Sequence, residues 1–384
     1  MTAGALVVGG GIAGSAVAID LARAGRRVVL IERETGPHDK VCGEFLSFEA
    51  CHYLTRLGLQ PEALGAVALR SVRLVRGQRA VAAALPFRAL SLSRRVLDEA
   101  LLEQAALSGA EVRRGVRVRA LEHGADHWSA TVDQGQAIEA SAAFLATGKH
   151  DLRDLKRGPG TQGDLIGFKM YWRLNTRQAQ ELDGHVELAL FPGGYAGLQP
   201  VDGGRANLCL LVRLSDFSGL ENSWDALLAK IKATCPHLAQ RLDGAEAALA
   251  RPLAISSLPY GYVFDGADAS HNQPLDHIWR LGDQAAVIPS FSGDGMSIAL
   301  HSARIAAQHY LAGDAAHVYH THLARDVRRQ IRRATRVSQA LVTPWGQGSA
   351  EAIARLLPPV LSGLASMTRI SKRALTRAEL VPDG

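Results

Sequence analysis

The chain has 384 residues, 47% of them apolar and 21% charged, with a formal net charge of +6; this suits two intimately joined domains of ordinary globular composition. No run of eighteen apolar residues occurs, which argues against a membrane-spanning helix, and the four cysteines (Cys42, Cys51, Cys209, Cys235) contain no C-x-x-C pair, which points to reduced cytosolic thiols with no metal site. From His320 onward eleven Lys or Arg face four acids, while the first 319 residues carry 32 basic and 33 acidic groups, so nucleic-acid binding by the main body has no electrostatic support.

The apolar start, Ala5-Leu6-Val7-Val8, has no basic leader and reads as a strand, not as a signal peptide. It runs into Gly9, Gly11 and Gly14 in the G-x-G-x-x-G spacing, with Ile12 and Ala13 between the last two. A helical segment follows, then Gly25 as a stop and the apolar run Val28–Ile31 ending in Glu32. Strand, glycines, helix, strand and terminal acid in register form the dinucleotide-binding fingerprint. Gly9 permits the tight turn, Gly11 the close approach of a pyrophosphate, and Gly14 close helix–strand packing; Glu32 is placed to accept from a ribose hydroxyl. NAD and FAD both satisfy this motif.

The polar stretch from Arg33 through Lys40 to Ser47 reads as a loop at the carboxyl edge of the sheet, where ligands bind in open α/β folds. It carries Cys42, Gly43 and Glu44, either as active-site groups or as a buried thiol and a capping acid. Residues 48–60 read as helical, and 69–87 as short strands of an inserted sheet. Ser93 caps a helix whose apolar positions are 97, 101, 102 and 105. Residues 112–121 alternate and return to the main sheet, and Trp128–Ile138 resembles a hairpin around Asp133-Gln134-Gly135-Gln136. A second strand–glycine junction follows at Ala146-Thr147-Gly148.

Strand-like pieces occupy 165–174, 185–191 and 207–214, with turns at Gly193-Gly194-Tyr195 and 202–205; they make a substrate platform. Residues 223–242 read as helical with a break at Pro236. A strand then ends at Gly282-Asp283, followed by the loop Ser290-Phe291-Ser292-Gly293-Asp294-Gly295 and a helix from about Met296 to Leu311. This again places backbone N–H groups at the sheet edge. Beyond it, Leu323, Val327, Ile331, Ala334, Val337 and Leu341 recur at helical spacing opposite six arginines. Such a helix packs on a core with a solvated arginine face or rests on an anionic membrane. Pro344 ends it, and 349–380 reads as one or two further helices.

With these motifs in view, the chain resembles FAD-dependent oxidoreductases of the para-hydroxybenzoate hydroxylase fold, nearest the geranylgeranyl reductase and halogenase-like branch. The resemblance covers most of residues 1–315. It implies an α/β fold: a Rossmann-type FAD-binding domain (1–68, 91–164 and 275–318), an inserted, mainly antiparallel β-sheet substrate domain (69–90 and 165–274), and basic C-terminal helices (319–384). It implies FAD contacts from Gly9, Ile12, Ala13, Gly11, Gly14, Glu32, Arg33, Cys42, Gly43, Arg94 in its Arg-x-x-Leu-Asp pattern, Val118, Thr147, Gly148, Gly282, Asp283, Gly293, Asp294, Gly295 and Met296. Two departures stand out. Thr147-Gly148 replaces the Asp-Gly pair of the hydroxylases, and the Trp-x-Trp-x-Ile-Pro motif of flavin halogenases is absent, Trp172 and Trp279 standing alone.

The expected activity is an FAD-dependent monooxygenation of an aromatic, polyketide or lipid-like small molecule through a flavin hydroperoxide. The alternative is FAD-dependent reduction of C=C bonds in a prenyl or lipid substrate, which the Cys42-Gly43 loop favours. NAD(P)H or another external reductant supplies the electrons in either case. Glu44 and Cys42 are the catalytic candidates, and Tyr195 and Phe291 the substrate contacts. The expected setting is cytoplasmic, with peripheral membrane contact through the basic helix as a further expectation and no oligomeric state implied.

Overall fold

A computed structural model describes residues 3–124, 126–133, 135, 137–266 and 277–379; Gln134 and Gln136 of the expected hairpin turn lie outside the described residues. Strand Ala3–Val8 is central to the first sheet. It pairs in parallel with Val28–Glu32 on one side and Ile138–Leu145 on the other. Glu111–Arg114 and Ile278–Arg280 extend the parallel part, and Val118–His123 and Trp128–Val132 add an antiparallel meander. Every residue of Val28–Glu32 is buried, as a parallel strand covered on both faces must be.

Period-two alternation of the central strand divides the core. Ala5 and Val7 face helices Ile12–Arg23, Arg94–Leu107 and Gly295–Ala312, while Leu6 and Val8 face the opposite side with Leu121 and Trp128. Helix starts follow local chemistry: the Ser93 hydroxyl accepts from Val96 N at 3.4 Å, and Ser47 caps helix Phe48–Arg56.

The second sheet is mainly antiparallel. Leu165–Arg173, Arg205–Arg213, Gly194–Val201 and His185–Phe191 lie side by side, and the long hairpin Val67–Arg76/Arg79–Ser91 continues the sheet to Phe45–Leu46. Gly193-Gly194-Tyr195 is not wholly a turn: Gly194 begins a strand that the sequence reading omitted. The glycine serves close packing there, since a Cβ would lie 2.2 Å from the Leu211 carbonyl oxygen. Helices Trp224–Thr234 and Pro236–Arg241 cover one face of this sheet.

Among the described residues the C-terminal stretch forms four helices: Ala316–Leu341, Pro344–Leu356, Pro359–Met367 and Lys372–Arg377. Pro344 sits in the first turn of the second, where its missing N–H costs nothing. The long helix buries Leu323, Val327, Ile331 and Ala334 against the body, and Arg325, Arg328, Arg329, Arg332 and Arg336 stay exposed. The next two helices cross the hairpin strands of the second sheet.

Glu187 ties this sheet together. Its buried carboxylate meets Arg73 Nη1 at 2.8 Å, Arg241 Nη2 at 3.1 Å and His237 Nε2 at 3.1 Å. The side-chain hydrogen bond of His237 and the two guanidinium groups outweigh desolvation and hold its pKa at about 2. A depressed carboxylate stabilises the fold above its unfolded pKa, and that contribution disappears as pH falls toward 2. Glu187→Gln therefore costs about 3–5 kcal/mol at neutral pH by leaving buried arginines unpaired, and urea titrations of the two proteins converge as the pH approaches about 2.

Candidate functional site

The parallel strands deliver Val8-Gly9, Thr147-Gly148 and Leu281-Gly282-Asp283 to one edge of the first sheet, where all of them line a single cavity of about 890 Å³. The glycine turn is fixed by close contacts. A Cβ on Gly9 would lie 2.5 Å from the Ala146 carbonyl oxygen, and one on Gly14 would lie 1.9 Å from that of Gly9. Gly9 also has φ +107°, which favours glycine. Gly11 is different: the nearest atoms to its would-be Cβ are Arg94 Nη2 at 3.5 Å and Lys40 Nζ at 3.6 Å. No side chain caps helix Ile12–Arg23, so its first N–H groups remain open to an anion.

The two cations over Gly11 share one counter-ion. Arg94 grips Asp98 through Nε and Nη2 at 2.7 and 2.8 Å, and Lys40 Nζ meets the same carboxylate at 2.8 Å. The cluster keeps one net positive charge beside an uncapped helix start, which suits a pyrophosphate. Glu32 borders the cavity, with Oε2 accepting from Gly10 N at 2.8 Å and Oε1 from Glu34 N at 2.9 Å; these bonds fix the carboxylate and leave lone pairs for a ribose. The hydroxyl of Thr147 is buried and has no hydrogen-bond partner among the described residues. These features fit the ADP half and ribityl chain of FAD.

Farther along the cavity the loop 40–46 crosses to the second sheet and is pinned there. Asn207 Nδ2 donates to the Cys42 and Gly43 carbonyls at 3.0 and 3.1 Å, and Gln199 Nε2 donates to the Glu44 carbonyl at 3.2 Å. Glu44 is fully buried and has φ +60°, a left-handed backbone that costs a non-glycine residue about 1–3 kcal/mol. Its Oε1 accepts from Lys169 Nζ, from Tyr171 OH at 2.6 Å and from Arg94 N at 2.8 Å. Oε2 has no hydrogen-bond partner among the described residues. Burial raises the Glu44 pKa above the ordinary carboxylate range against the opposing pull of Lys169. Cys42 Sγ accepts the Glu44 N–H at 3.4 Å and so helps set that backbone.

Most of the expected site residues border this cavity: Gly9, Gly11, Ile12, Ala13, Glu32, Arg33, Cys42, Gly43, Glu44, Arg94, Val118, Thr147, Gly148, Tyr195, Gly282, Asp283, Phe291, Gly293, Gly295 and Met296. Gly14 does not, consistent with its packing role. Asp294 does not either. Its carboxylate is buried 2.7 Å from Arg369 Nη1, and burial pushes its pKa up to about 7 against that guanidinium. Tyr195 is almost fully buried, its hydroxyl 3.3 Å from Ser338 Oγ and its ring edge-on to Phe291. Lys40, Lys169, Tyr171, Asn207, Gln199 and Arg369 were not foreseen as site residues. Lys169 carried a signal, being a lysine inside an otherwise apolar strand.

Beyond Glu44 the cavity turns apolar. Val72, Leu74, Phe87 and Leu188 form its floor, and Leu341, Ala350, Leu361 and Leu364 its roof, the roof coming from the C-terminal helices. Trp172 packs in the far core of the second sheet and Trp279 beneath the first; neither borders the cavity.

Comparison with known proteins places this geometry. Residues 2–147 match the FAD binding domain family. The chain is 27% identical over 361 residues to a menaquinone reductase of Mycobacterium tuberculosis H37Rv, spanning 89% of this chain and 85% of that one. It is 25% identical over 325 residues to the menaquinone reductase of Mycolicibacterium smegmatis, spanning 80% and 76%. Its fold is shared with the flavin-dependent brominase Bmp2 (TM-score 0.76, 15% identity, 96% and 93% covered) and with the myxobacterial chondrochloren halogenase CndH (TM-score 0.74, 19%, 98% and 96%). The chain is an FAD-dependent oxidoreductase whose residues 2–147 form an FAD binding domain, on the fold it shares with these flavin-dependent enzymes.

Proposed function

We propose that this oxidoreductase saturates a C=C bond in a long apolar, prenyl-type substrate, the second of the two activities the sequence suggests. The observation that carries the reading is the apolar chamber that continues from Glu44 under the C-terminal helices. A chamber floored by Val72, Leu74 and Phe87 and roofed by Leu361 and Leu364 offers aliphatic contact along its length and few polar groups to orient a small hydroxylated aromatic. The likeness to proteins named menaquinone reductase supports a quinone with an apolar tail as the substrate class.

FAD, once bound and reduced by NAD(P)H or another external reductant, would supply a hydride, the electron pair together with the first of the two hydrogens. The chain supplies the rest. Arg94, Lys40 and the open N–H groups at Gly11 would hold the pyrophosphate, the chamber holds the tail and excludes water, and the second carbon of the double bond takes a proton from Glu44. Its burial favours the protonated acid this role requires. Tyr171 and Lys169, both on Oε1, hold the carboxyl in place and return a proton to it. Cys42 and Asn207 act as positioning residues for that loop.

Incubation of the reduced enzyme with menaquinone under strict anaerobiosis gives a product heavier by two hydrogens in its side chain, detected by mass spectrometry. A product that instead requires oxygen and gains an oxygen atom overturns this reading in favour of hydroxylation.

Glu44→Gln lowers kcat by about 10²–10⁴-fold with bound FAD unchanged. In the natural enzyme activity falls as pH rises through the elevated Glu44 pKa, because the donor must be protonated, and that alkaline limb vanishes in the variant. Lys169→Met removes the cation that opposes the effect of burial on Glu44, so the Glu44 pKa rises further and the alkaline limb of kcat moves to higher pH; an unmoved limb removes Lys169 from the account of Glu44.

A further inference from the structure

We infer that the two short helices Pro344–Leu356 and Pro359–Met367 form a docking face for an anionic lipid bilayer, through which the apolar chamber takes up its substrate. The inference rests on the apolar-substrate reading for its purpose, but its physical basis is separate. Trp345 is 77% exposed, Ile353 48% and Val360 38%, yet all three also line the cavity. A side chain that does both stands where the cavity opens. Leu356 and Leu357, at 81% and 60% exposure, continue the same bare surface just outside. Five of the eight large apolar side chains exposed on the described surface thus fall within sixteen residues of sequence. A contiguous apolar patch is costly in water and marks a contact surface.

A bilayer is favoured by what lies inside and beside the patch. Inside, the opening leads directly to Leu361, Leu364, Phe87 and Leu85, so an apolar tail passes from hydrocarbon to chamber without crossing water. On helix Pro344–Leu356, Arg355 is exposed and has no acidic partner among the described residues, as is true of Lys372 and Arg373 in helix Lys372–Arg377, while the acid Glu351 is neutralised by Arg76 at 2.8 Å and Arg79 at 2.9 Å. Basic groups flanking exposed Trp and Leu match the headgroup and acyl layers of an anionic membrane. This surface differs from the arginine face of helix Ala316–Leu341, whose apolar side is already spent on the core.

The test uses the full flavoprotein with vesicles of phosphatidylglycerol and phosphatidylcholine in equal parts. The natural chain co-sediments with them at low salt and binds pure phosphatidylcholine more weakly. Leu356→Asp combined with Leu357→Asp, at two positions outside the cavity lining, weakens sedimentation at least tenfold while FAD content, thermal midpoint and turnover of a detergent-solubilised substrate stay unchanged. Arg332→Gln combined with Arg336→Gln leaves binding as it was. Equal binding by the Leu356/Leu357 variant overturns the assignment. So does absence of vesicle binding accompanied by a dimer that the same variant dissociates, which would identify a second copy as the occupant. Binding is read without turnover, so this inference and the reductase reading fail independently.

Discussion

The arrangement turns on one buried polar contact, between the Glu44 carboxyl and the Lys169 ammonium. Glu44 and Lys169 are both wholly removed from solvent, and each would be prohibitively costly to bury alone. They belong to different parts of the molecule, Glu44 to the loop that leaves the nucleotide-binding motif and Lys169 to a central strand of the second sheet. Satisfying the pair therefore fixes the loop against the sheet. Asn207, Gln199 and Tyr171 complete the attachment through hydrogen bonds to the same few backbone and carboxyl atoms. The strained backbone of Glu44 persists because four neighbours hold it in place.

Much of the cofactor end was legible in the sequence because its determinants are local. Three glycines, an acid 21 residues after Gly11 and two further strand–glycine junctions each report on their own turn, and all converge once parallel strands align their carboxyl ends. The catalytic end was less legible because it depends on distant partners. Glu44 was identified as chemically able, but its environment comes from residues 125 and 127 positions later, and no periodicity announces such a pairing. Asp294 illustrates the reverse error: it lies in a glycine-rich loop of the expected kind, yet the loop turns its carboxylate toward Arg369. Gly194 misled because glycine marks both turns and strands in close approach, and the sequence does not say which.

The C-terminal helices lie beyond the residues on which the sequence resemblance rested, which end near 315. Amphipathic spacing predicted the long helix and its buried face correctly. It did not predict that the shorter helices after Pro344 would roof a cavity, because a side chain that lines a cavity and one that faces solvent look alike in sequence. Leu361 and Leu357 have the same residue type and opposite fates. The difference is set by where the hairpin of residues 67–91 lies beneath them.

Arg369 connects the C-terminal helices to the glycine-rich loop that precedes helix Gly295–Ala312. Its guanidinium reaches Asp294 and the Ser292 carbonyl and lies over the ring of Phe87, 4.9 Å from its centre. The glycine turn that begins the nucleotide site emerges from the ribosome early, but the loop across from it gains its counter-charge only when residue 369 has been made. Contacts of that sequence separation form late. Assembly of the loop at 290–295 thus waits on the C-terminal helices, and chains clipped before this arginine would lack the cation that faces Asp294.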